Sequence, residues 1–179
     1  MEFSKKTREL SIKKMQERTL DLLIIGGGIT GAGVALQAAA SGLETGLIEM
    51  QDFAEGTSSR STKLVHGGLR YLKQFDVEVV SDTVSERAVV QQIAPHIPKP
   101  DPMLLPVYEE EGATFSLFRL KVAMDLYDLL AGVNNTPAAN KVLSKEEVLE
   151  REPELKKEGL VGGGVYLDFR NNDARLVIE

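Results

Sequence analysis

The residues best suited to chemistry lie in one segment, GTSSRSTKLVHGGLRYL at 56–72. If residues 63–72 form a helix, His66 and Arg70 are four positions apart and share one face. There the imidazole could exchange a proton, and the guanidinium could bind a phosphate through two parallel hydrogen bonds. The glycine pair Gly67–Gly68 would let a flat ring approach the backbone. Composition alone favours at least equally a polar surface loop followed by a helix whose histidine and arginine are merely structural.

The first part of this segment is rich in hydroxyl groups and positive charge. Residues 57–75 contain four basic residues and no acidic one, which indicates a local site for a small anion. Hydroxyl and ammonium donors in such a loop could wrap the phosphates of a nucleotide. These donors are Thr57, Ser58, Ser59, Ser61, Thr62 and Lys63.

A second motif lies upstream, where an aliphatic run ends at glycines. Residues 20–25 predict a strand buried on both faces, and residues 28–41 predict an alanine-rich helix. Between them, Gly26, Gly28 and Gly31 form G-x-G-x-x-G in the strand-to-helix context that a dinucleotide-binding loop requires. Gly26 permits the tight turn, Gly28 lets the backbone approach a pyrophosphate, and Gly31 lets the helix pack closely on the strand.

Glu49 completes this motif at the end of a second short strand, predicted over residues 45–49. A carboxylate there accepts hydrogen bonds from an adenosine ribose and repels a 2′-phosphate, which argues against NADP. Strand, helix and strand form a βαβ unit and hence a parallel sheet. The pattern does not distinguish FAD from NAD, and a glycine turn in an unrelated α/β protein remains the alternative.

The spacing of apolar residues and the positions of proline and glycine predict the other elements. Four prolines make HIPKPDPMLLPVY an extended stretch, with a strand over 104–108 only at a sheet edge or near the strand's start. A strand over 165–169 is expected after a turn at Gly162–Gly164. Helices are expected over 1–18 on the surface, over 63–74 except at the glycine pair, over 77–93, over 115–130 up to Gly132, and after a capping box of Ser144 and Glu147.

Composition excludes several classes of protein. Of the 179 residues, 42% are hydrophobic and 27% are charged, with a net charge of −6, which excludes a largely disordered chain. The absence of cysteine excludes disulfides, thiolate catalysis and iron–sulfur clusters. With only two histidines, His66 and His96, we expect no metal site. The acidic balance argues against nucleic acid as a partner. Because no apolar run approaches the roughly 18 residues of a membrane span, we expect a cytoplasmic protein.

The C-terminal residues indicate an incomplete fold. A new helix is predicted to start at Asn172 or Asp173, yet the sequence stops at Glu179 without a helix cap. Only two strands of the parallel sheet have appeared by then, whereas a doubly wound dinucleotide fold needs more. We therefore expect this chain to be the N-terminal part of a longer polypeptide.

Several segments together resemble the FAD-dependent glycerol-3-phosphate dehydrogenase family, and within it the α-glycerophosphate oxidase branch. The most specific is TSSRSTKLVHGGLRYL at 57–72, and GGGITGAG at 26–33 with Glu49 agrees with it. The resemblance continues through SERAVVQQIAPHI, MLLPVY, YDLLAGV and GGGVYLDFRNNDARL, and thus along nearly the whole chain. It implies an α/β fold: a glutathione-reductase-like Rossmann FAD-binding domain with the start of an inserted antiparallel-sheet substrate domain.

The resemblance also implies domain boundaries and residue roles. Residues 19–98 would belong to the FAD-binding part, 99–172 to the substrate-binding part, and 173–179 to a helix returning to the FAD domain. Arg70 would bind the substrate phosphate, with Tyr71 beside it. Four residues would bind the ADP half of FAD, namely Gly26, Gly28, Gly31 and Glu49. The pyrophosphate and flavin would be lined by Thr57, Ser58, Ser59, Ser61 and Lys63, and the isoalloxazine by His66, Gly67 and Gly68.

The implied reaction is the oxidation of sn-glycerol 3-phosphate to dihydroxyacetone phosphate, with a hydride passing from C2 to flavin N5. Reoxidation by O2, giving H2O2, is expected, and a quinone-linked dehydrogenase is the alternative. Whether His66 takes the hydroxyl proton stays open. Peripheral membrane association and a homodimer also stay open. A third hypothesis treats the 179 residues as a nucleotide-binding piece that is inactive by itself.

Overall fold

The computed structural model describes residues 4–74, 76–109, 116–133 and 136–179. In chain order its elements are α1 (Arg8–Glu17), β1 (Leu22–Ile25), α2 (Ile29–Ala40), β2 (Thr45–Ile48), β3 (Leu64–Val65), α3 (Val77–Ile93), β4 (Lys99–Tyr108), α4 (Leu117–Leu130), β5 (Lys141–Leu143), α5 (Lys145–Arg151), β6 (Leu160–Arg170) and α6 (Asp173–Ile178), with 3₁₀ turns at Thr57–Ser59 and Leu69–Gln74. Within these described parts, no helix is both long and apolar enough to cross a membrane.

The chain divides into two compact units by its internal contacts. One contains the residues up to Lys63 together with Asn172–Glu179, and the other contains Leu64–Asn171. The functional boundary expected at residue 98 stays a prediction.

The first unit contains the predicted βαβ element. β1 and β2 pair in parallel, with Leu22 opposite Thr45 and Ile25 opposite Ile48, and α2 connects them. α1 begins only at Arg8 and has no buried residue. The first three residues of the helix expected over 1–18 lie outside the described residues.

Gly42 ends α2 as expected. Its φ of +81° lies in the left-handed region, where a side chain is unfavourable. The amide of Gly42 donates to the carbonyl of Ala39 at 3.0 Å, and the amide of Leu43 donates to that of Ala38 at 3.1 Å. This pair of bonds is a Schellman motif, which satisfies the carbonyls that the helix end would leave unpaired.

The second unit is built on an antiparallel sheet whose central strand is β6. β4 pairs with β6 along one edge, while β3 and β5 pair with opposite ends of its other edge. Gly162–Gly164 lie inside β6, so the turn predicted there is wrong. Their small size lets helices approach the sheet, because a Cβ on Gly164 would lie 2.6 Å from the sulfur of Met124, and one on Gly163 would lie 2.9 Å from Val148.

The segment expected to be helical over 63–74 is instead a short strand followed by a 3₁₀ turn. Leu64 and Val65 pair with Arg170 and Phe169 of β6. The chain then passes through Gly68, whose φ is +74°, before the 3₁₀ turn begins. Partners about 100 residues away thus override the local helical pattern, and the predicted helix is wrong.

β4 shows why its prolines are tolerated. Within the described sheet it pairs only with β6, which makes it an edge strand as predicted, although it begins at Lys99 rather than at residue 104. Pro100, Pro102 and Pro106 occupy alternate positions, so their missing amides all fall on the same side of the strand. On the free edge that absence breaks no ladder hydrogen bond.

The main apolar core lies between α4, which packs on β6, and α3, which packs on α4 and on the second 3₁₀ turn. Their buried side chains include Val80, Leu120, Met124 and Tyr127, packed with Leu69 of the 3₁₀ turn. Asp76 and Ser116 cap the two helices by accepting from backbone amides. Phe115, the expected start of α4, lies outside the described residues. The predicted capping box opens α5, where Ser144 and Glu147 each accept the other's backbone amide.

Candidate functional site

The glycine loop between β1 and α2 has the geometry that the motif predicts. Gly26 has a φ of +113°, which a residue with a side chain rarely adopts. A Cβ on Gly31 would lie 1.9 Å from the carbonyl oxygen of Gly26, so only glycine lets the helix start this close to the strand end. Gly28 is the N-cap of α2 and provides no side-chain cap.

Ser58 joins the hydroxyl-rich loop to this glycine loop within the first unit. Its Oγ accepts a hydrogen bond of 2.8 Å from the amide of Ile29, the first residue of α2. A Cβ on Gly28 would lie 3.0 Å from the same Oγ. Thr57–Ser59 form the 3₁₀ turn that holds the hydroxyl there. The structure therefore brings Ser58 of the hydroxyl-rich loop to the glycine loop.

Glu49, the residue after β2, is hydrogen-bonded to the glycine loop. Its Oε2 accepts the amide of Gly27 at 2.8 Å, and its Oε1 accepts the amide of Gln51 at 3.0 Å. These backbone hydrogen bonds, that of Gly27 foremost, lower the pKa of the carboxyl below its usual value. The sequence reasoning assigned this carboxylate to a ribose and missed its bond to the loop. The ribose contact stays a prediction.

Lys63 and Ser61 converge on an acidic residue that the sequence reasoning missed. The Lys63 ammonium donates to the carbonyl of Ser59 and, at 3.1 Å, to Asp173 Oδ2. Ser61 Oγ donates to the same oxygen at 2.5 Å. Asp173, at the start of α6, is 8% exposed. The Lys63 ammonium, which was expected to face a phosphate, thus forms an ion pair with a buried carboxylate.

In the second unit, His66 follows β3 directly and faces β6. Continuing the β3–β6 register places it opposite Asp168, and its Nδ1 is hydrogen-bonded to Asp168 Oδ2. The His66 side chain is partly exposed, whereas that of Asp168 is fully buried. Asp168 was part of the quoted block GGGVYLDFRNNDARL, but no role was assigned to it. The register of the two strands, which sequence did not reveal, is the missing signal.

At the start of the 3₁₀ turn, the exposed Arg70 pairs with the half-buried Tyr71. An Arg70 Nη2 donates to the Tyr71 hydroxyl at 3.2 Å, and the guanidinium carbon lies 5.0 Å from the ring centre. Because the helix predicted over this segment is absent, His66 and Arg70 do not share a helical face. They remain close in sequence, with Arg70 open to solvent and able to bind an anion.

The fold itself explains why glycine occurs at both Gly67 and Gly68. A Cβ on Gly67 would lie 2.2 Å from the hydroxyl oxygen of Tyr127, and Gly68 needs its positive φ. Tyr127 in turn accepts a hydrogen bond of 2.6 Å from Arg87, a buried residue of α3 that was also missed. The approach of a flat ring to Gly67 and Gly68 stays a prediction.

The first unit's loops fit the diphosphate end of a dinucleotide. The glycines remove the side chains that would fill the space in front of α2, and the N-cap residue Gly28 adds none, although Ser58 Oγ accepts the amide of Ile29. Backbone amides at such a helix start, together with neighbouring hydroxyls, are the donors that pyrophosphates use. These residues therefore suit the ADP portion of FAD, and Glu49 and Ser58 stabilise the loop that would hold it.

Comparison with known proteins agrees with this geometry. Alpha-glycerophosphate oxidase of Streptococcus pneumoniae serotype 4 is 96% identical over all 179 residues, which make up 29% of its length. The enzyme of the same name from Enterococcus casseliflavus is 74% identical with the same coverage. Among solved structures, the glycerol-3-phosphate dehydrogenase from Bacillus halodurans complexed with FAD matches with a TM-score of 0.68 and 42% identity, covering 99% of this chain and 27% of that one.

The chain thus spans about 29% of the length of the curated relatives it matches. A family model described as FAD dependent oxidoreductase matches residues 21–179. The match and the FAD-bound structure confirm the expected α/β FAD-binding fold class and FAD as the cofactor. The chain belongs to the FAD dependent oxidoreductase family.

Proposed function

We propose that the whole protein oxidises sn-glycerol 3-phosphate to dihydroxyacetone phosphate, using FAD and then O2, which is reduced to H2O2. The observation that carries this proposal is the histidine of the second unit: a buried carboxylate holds the Nδ1 of His66, four residues before the exposed guanidinium of Arg70. Oxidising an alcohol needs a proton acceptor, and a phosphate ester needs a cation. The oxidase name of a 96% identical relative supports the same substrate and acceptor.

In this proposal the loops of the first unit bind the cofactor. The ADP half is bound by Gly26, Gly28, Gly31 and Glu49. The pyrophosphate and flavin are bound by Thr57, Ser58, Ser59, Ser61 and Lys63. In the second unit, His66, Gly67 and Gly68 lie beside the isoalloxazine, which when bound accepts a hydride from C2 of the substrate.

The substrate is handled by three residues of one short segment. His66 takes the hydroxyl proton. Arg70 binds the phosphate through two donors of its guanidinium. The Tyr71 hydroxyl, 3.2 Å from Arg70 Nη2, orients that guanidinium.

A quinone-linked dehydrogenase is the second candidate, because the Bacillus halodurans structure, 42% identical, is named a dehydrogenase. The electron acceptor separates the two. An oxidase forms H2O2 in a 1:1 ratio to the substrate consumed under air. A dehydrogenase forms little H2O2 and requires an added quinone analogue.

A non-catalytic nucleotide-binding role belongs to the 179-residue piece rather than to the whole protein. In that hypothesis the isolated piece shows no turnover. A cytoplasmic location, peripheral membrane association and a homodimer remain predictions.

The decisive experiment is a visible absorption spectrum of the full-length protein. We expect flavin bands that bleach when sn-glycerol 3-phosphate is added without oxygen and that return with air. The same experiment with glycerol in place of glycerol 3-phosphate tests whether the phosphate is needed. A colourless protein that does not take up FAD, or a flavin that the substrate does not bleach, would overturn the proposal.

A further inference from the structure

A buried carboxylate lies at the centre of a hydrogen-bonded cluster in the second unit. Asp168 lies on β6 with a side chain that is fully buried. Its Oδ1 accepts hydrogen bonds of 3.1 Å from Arg87 Nη1 and of 3.1 Å from the amide of Phe169. Its Oδ2 is directed to His66 Nδ1. Each oxygen of this carboxylate therefore has a partner, and one of the partners is the histidine.

The charges of these groups fix which nitrogen of His66 carries the proton. Arg87 is permanently charged and its side chain is 6% exposed, so the buried Asp168 beside it is stable as the carboxylate. A carboxylate can only accept hydrogen bonds. His66 must therefore donate through Nδ1–H, and in the neutral ring the lone pair then belongs to Nε2.

Arg87, the partner of the Asp168 carboxylate, is in turn fixed by neighbouring aromatic residues. Arg87 of α3 also donates to the Tyr127 hydroxyl of α4 at 2.6 Å, and its guanidinium carbon lies 4.7 Å from the ring centre of Phe169. Burial raises the pKa of Tyr166, which packs edge-on against Tyr127, to about 12. Burial also raises the pKa of Tyr127 well above its usual value. Neither phenol can therefore serve as a base at neutral pH.

We propose that Asp168, fixed by Arg87, is a positioning residue that holds His66 in its Nδ1–H form and so presents Nε2 to the substrate hydroxyl. This inference rests on the proposed function. The hydroxyl proton passes to Nε2 while the C2 hydrogen leaves with its electron pair to the flavin, and a carbonyl forms. The imidazolium that results is stabilised by the negative charge of Asp168.

The kinetic test uses Asp168→Asn in the full-length enzyme and follows flavin reduction by glycerol 3-phosphate in an anaerobic stopped-flow instrument. An asparagine amide can donate to Nδ1, which moves the proton to Nε2. We expect a fall of about 100-fold or more in the reduction rate constant, with FAD content and KM nearly unchanged. The matched control is Asp101→Asn, because Asp101 lies opposite Asp168 on β4 but pairs with Arg170 at 2.7 Å. It should reduce at the normal rate.

A double-mutant cycle separates positioning from a general structural role. If Asp168 acts through His66, adding Asp168→Asn to His66→Ala costs little further rate. A loss of similar size in both backgrounds would show that Asp168 is only structural, and the inference would be wrong. If the substrate does not reduce even the wild-type flavin, it is the proposed function that fails.

A measurement on the wild-type protein covers the case in which Asp168→Asn does not fold, since it leaves Arg87 without its anion. Nitrogen-15 NMR of labelled histidine, with His66 assigned by loss of its signal in His66→Gln, reports which ring nitrogen bears the proton. We expect Nδ1–H and an unprotonated Nε2 at a pH where the ring is neutral. A ring protonated at Nε2 would overturn the inference whatever the enzyme's activity.

Discussion

The two glycine-containing segments, GGGITG at 26–31 and HGGLR at 66–70, differ in what dictates their conformation. In the first, the decisive contact joins residues five apart, since a Cβ on Gly31 would meet the carbonyl of Gly26. In the second, the decisive contacts reach Tyr127 and Asp168, about 60 and 100 residues along the chain. The first segment is set locally, and the second is set by its tertiary partners.

This difference explains why one segment was predicted correctly and the other was not. A strand, a glycine turn and a helix are specified by neighbouring residues, so the pattern contains nearly all of the needed information. A strand of two residues exists only because β6 lies beside it. Substitutions in the first segment should therefore act on the loop itself, whereas those in the second should act through distant groups or on the substrate.

The largest effect is expected for Gly31→Ala. The added Cβ would lie 1.9 Å from the Gly26 carbonyl oxygen, so either α2 or the turn must move. Moving the backbone of a pyrophosphate-binding loop should weaken FAD binding by about 100-fold, on the order of 3 kcal/mol. Fluorescence titration of the deflavinated full-length protein with FAD measures this change.

Gly33→Ala is the matched control for that variant. Gly33 lies on the same helix two residues further on, and a Cβ there has no atom within 4 Å. Alanine is also favoured over glycine in a helix by up to about 1 kcal/mol. FAD affinity should be unchanged and the melting temperature equal or higher. Wild-type FAD affinity in Gly31→Ala would show that the loop is not set by this local contact.

Arg70→Ala probes the second segment and should give the next largest effect. The guanidinium of Arg70 is exposed and contacts Tyr71, so its loss should leave the protein folded and able to retain FAD. If Arg70 binds the substrate phosphate as proposed, its loss should raise KM for glycerol 3-phosphate by about 10- to 100-fold, with a smaller change in kcat. Steady-state kinetics under air, together with the flavin content, provide both readouts.

The control for Arg70→Ala is Arg60→Ala in the preceding loop. Arg60 is also exposed and forms an ion pair of 3.6 Å with Glu55. Removing it should leave KM within about twofold, because exposed ion pairs contribute little. An unchanged KM in Arg70→Ala would remove Arg70 from the substrate site and would leave His66 as the segment's sole chemical residue.

Sequence predicted the parts of the fold that depend on neighbours. The βαβ element, the stop at Gly42, the edge position of the proline-rich strand and the capping box at Ser144 are all present. What failed was the pairing of strands far apart in sequence. The glycines of β6 are typical of a turn in the local sequence. They lie in a strand because Met124 and Val148 pack so closely against them that no side chain would fit.

The site follows the same division. The glycine loop was anticipated, because it belongs to a recognisable local motif, whereas the hydrogen bond of Ser58 to the start of α2 was not. Asp168 and Arg87 were missed, because a buried carboxylate and a buried arginine carry no signal in one sequence beyond their charge. Their importance comes from the register that brings β6 opposite His66.

Glu49 lies between these two cases, because it contacts a loop residue 22 positions earlier. Substituting it should have the smallest effect of the changes considered. Hydrogen bonds from Gly27 and Gln51 lower the pKa of the folded carboxyl. A lowered folded pKa means that the carboxylate stabilises the fold fully above its ordinary, unfolded pKa. That contribution is lost as the pH falls through the lowered folded pKa.

Glu49→Gln should therefore melt below the wild type near neutral pH, and the difference should shrink as the pH falls through the carboxyl range. Melting curves of the deflavinated full-length proteins isolate the loop from any ribose contact. Glu55→Gln, in the same region but in an exposed ion pair with Arg60, should change the melting temperature little at any pH. A difference between Glu49→Gln and wild type that stays constant with pH would mean that the charge of Glu49 does not hold the loop. The first segment would then depend on its glycines alone.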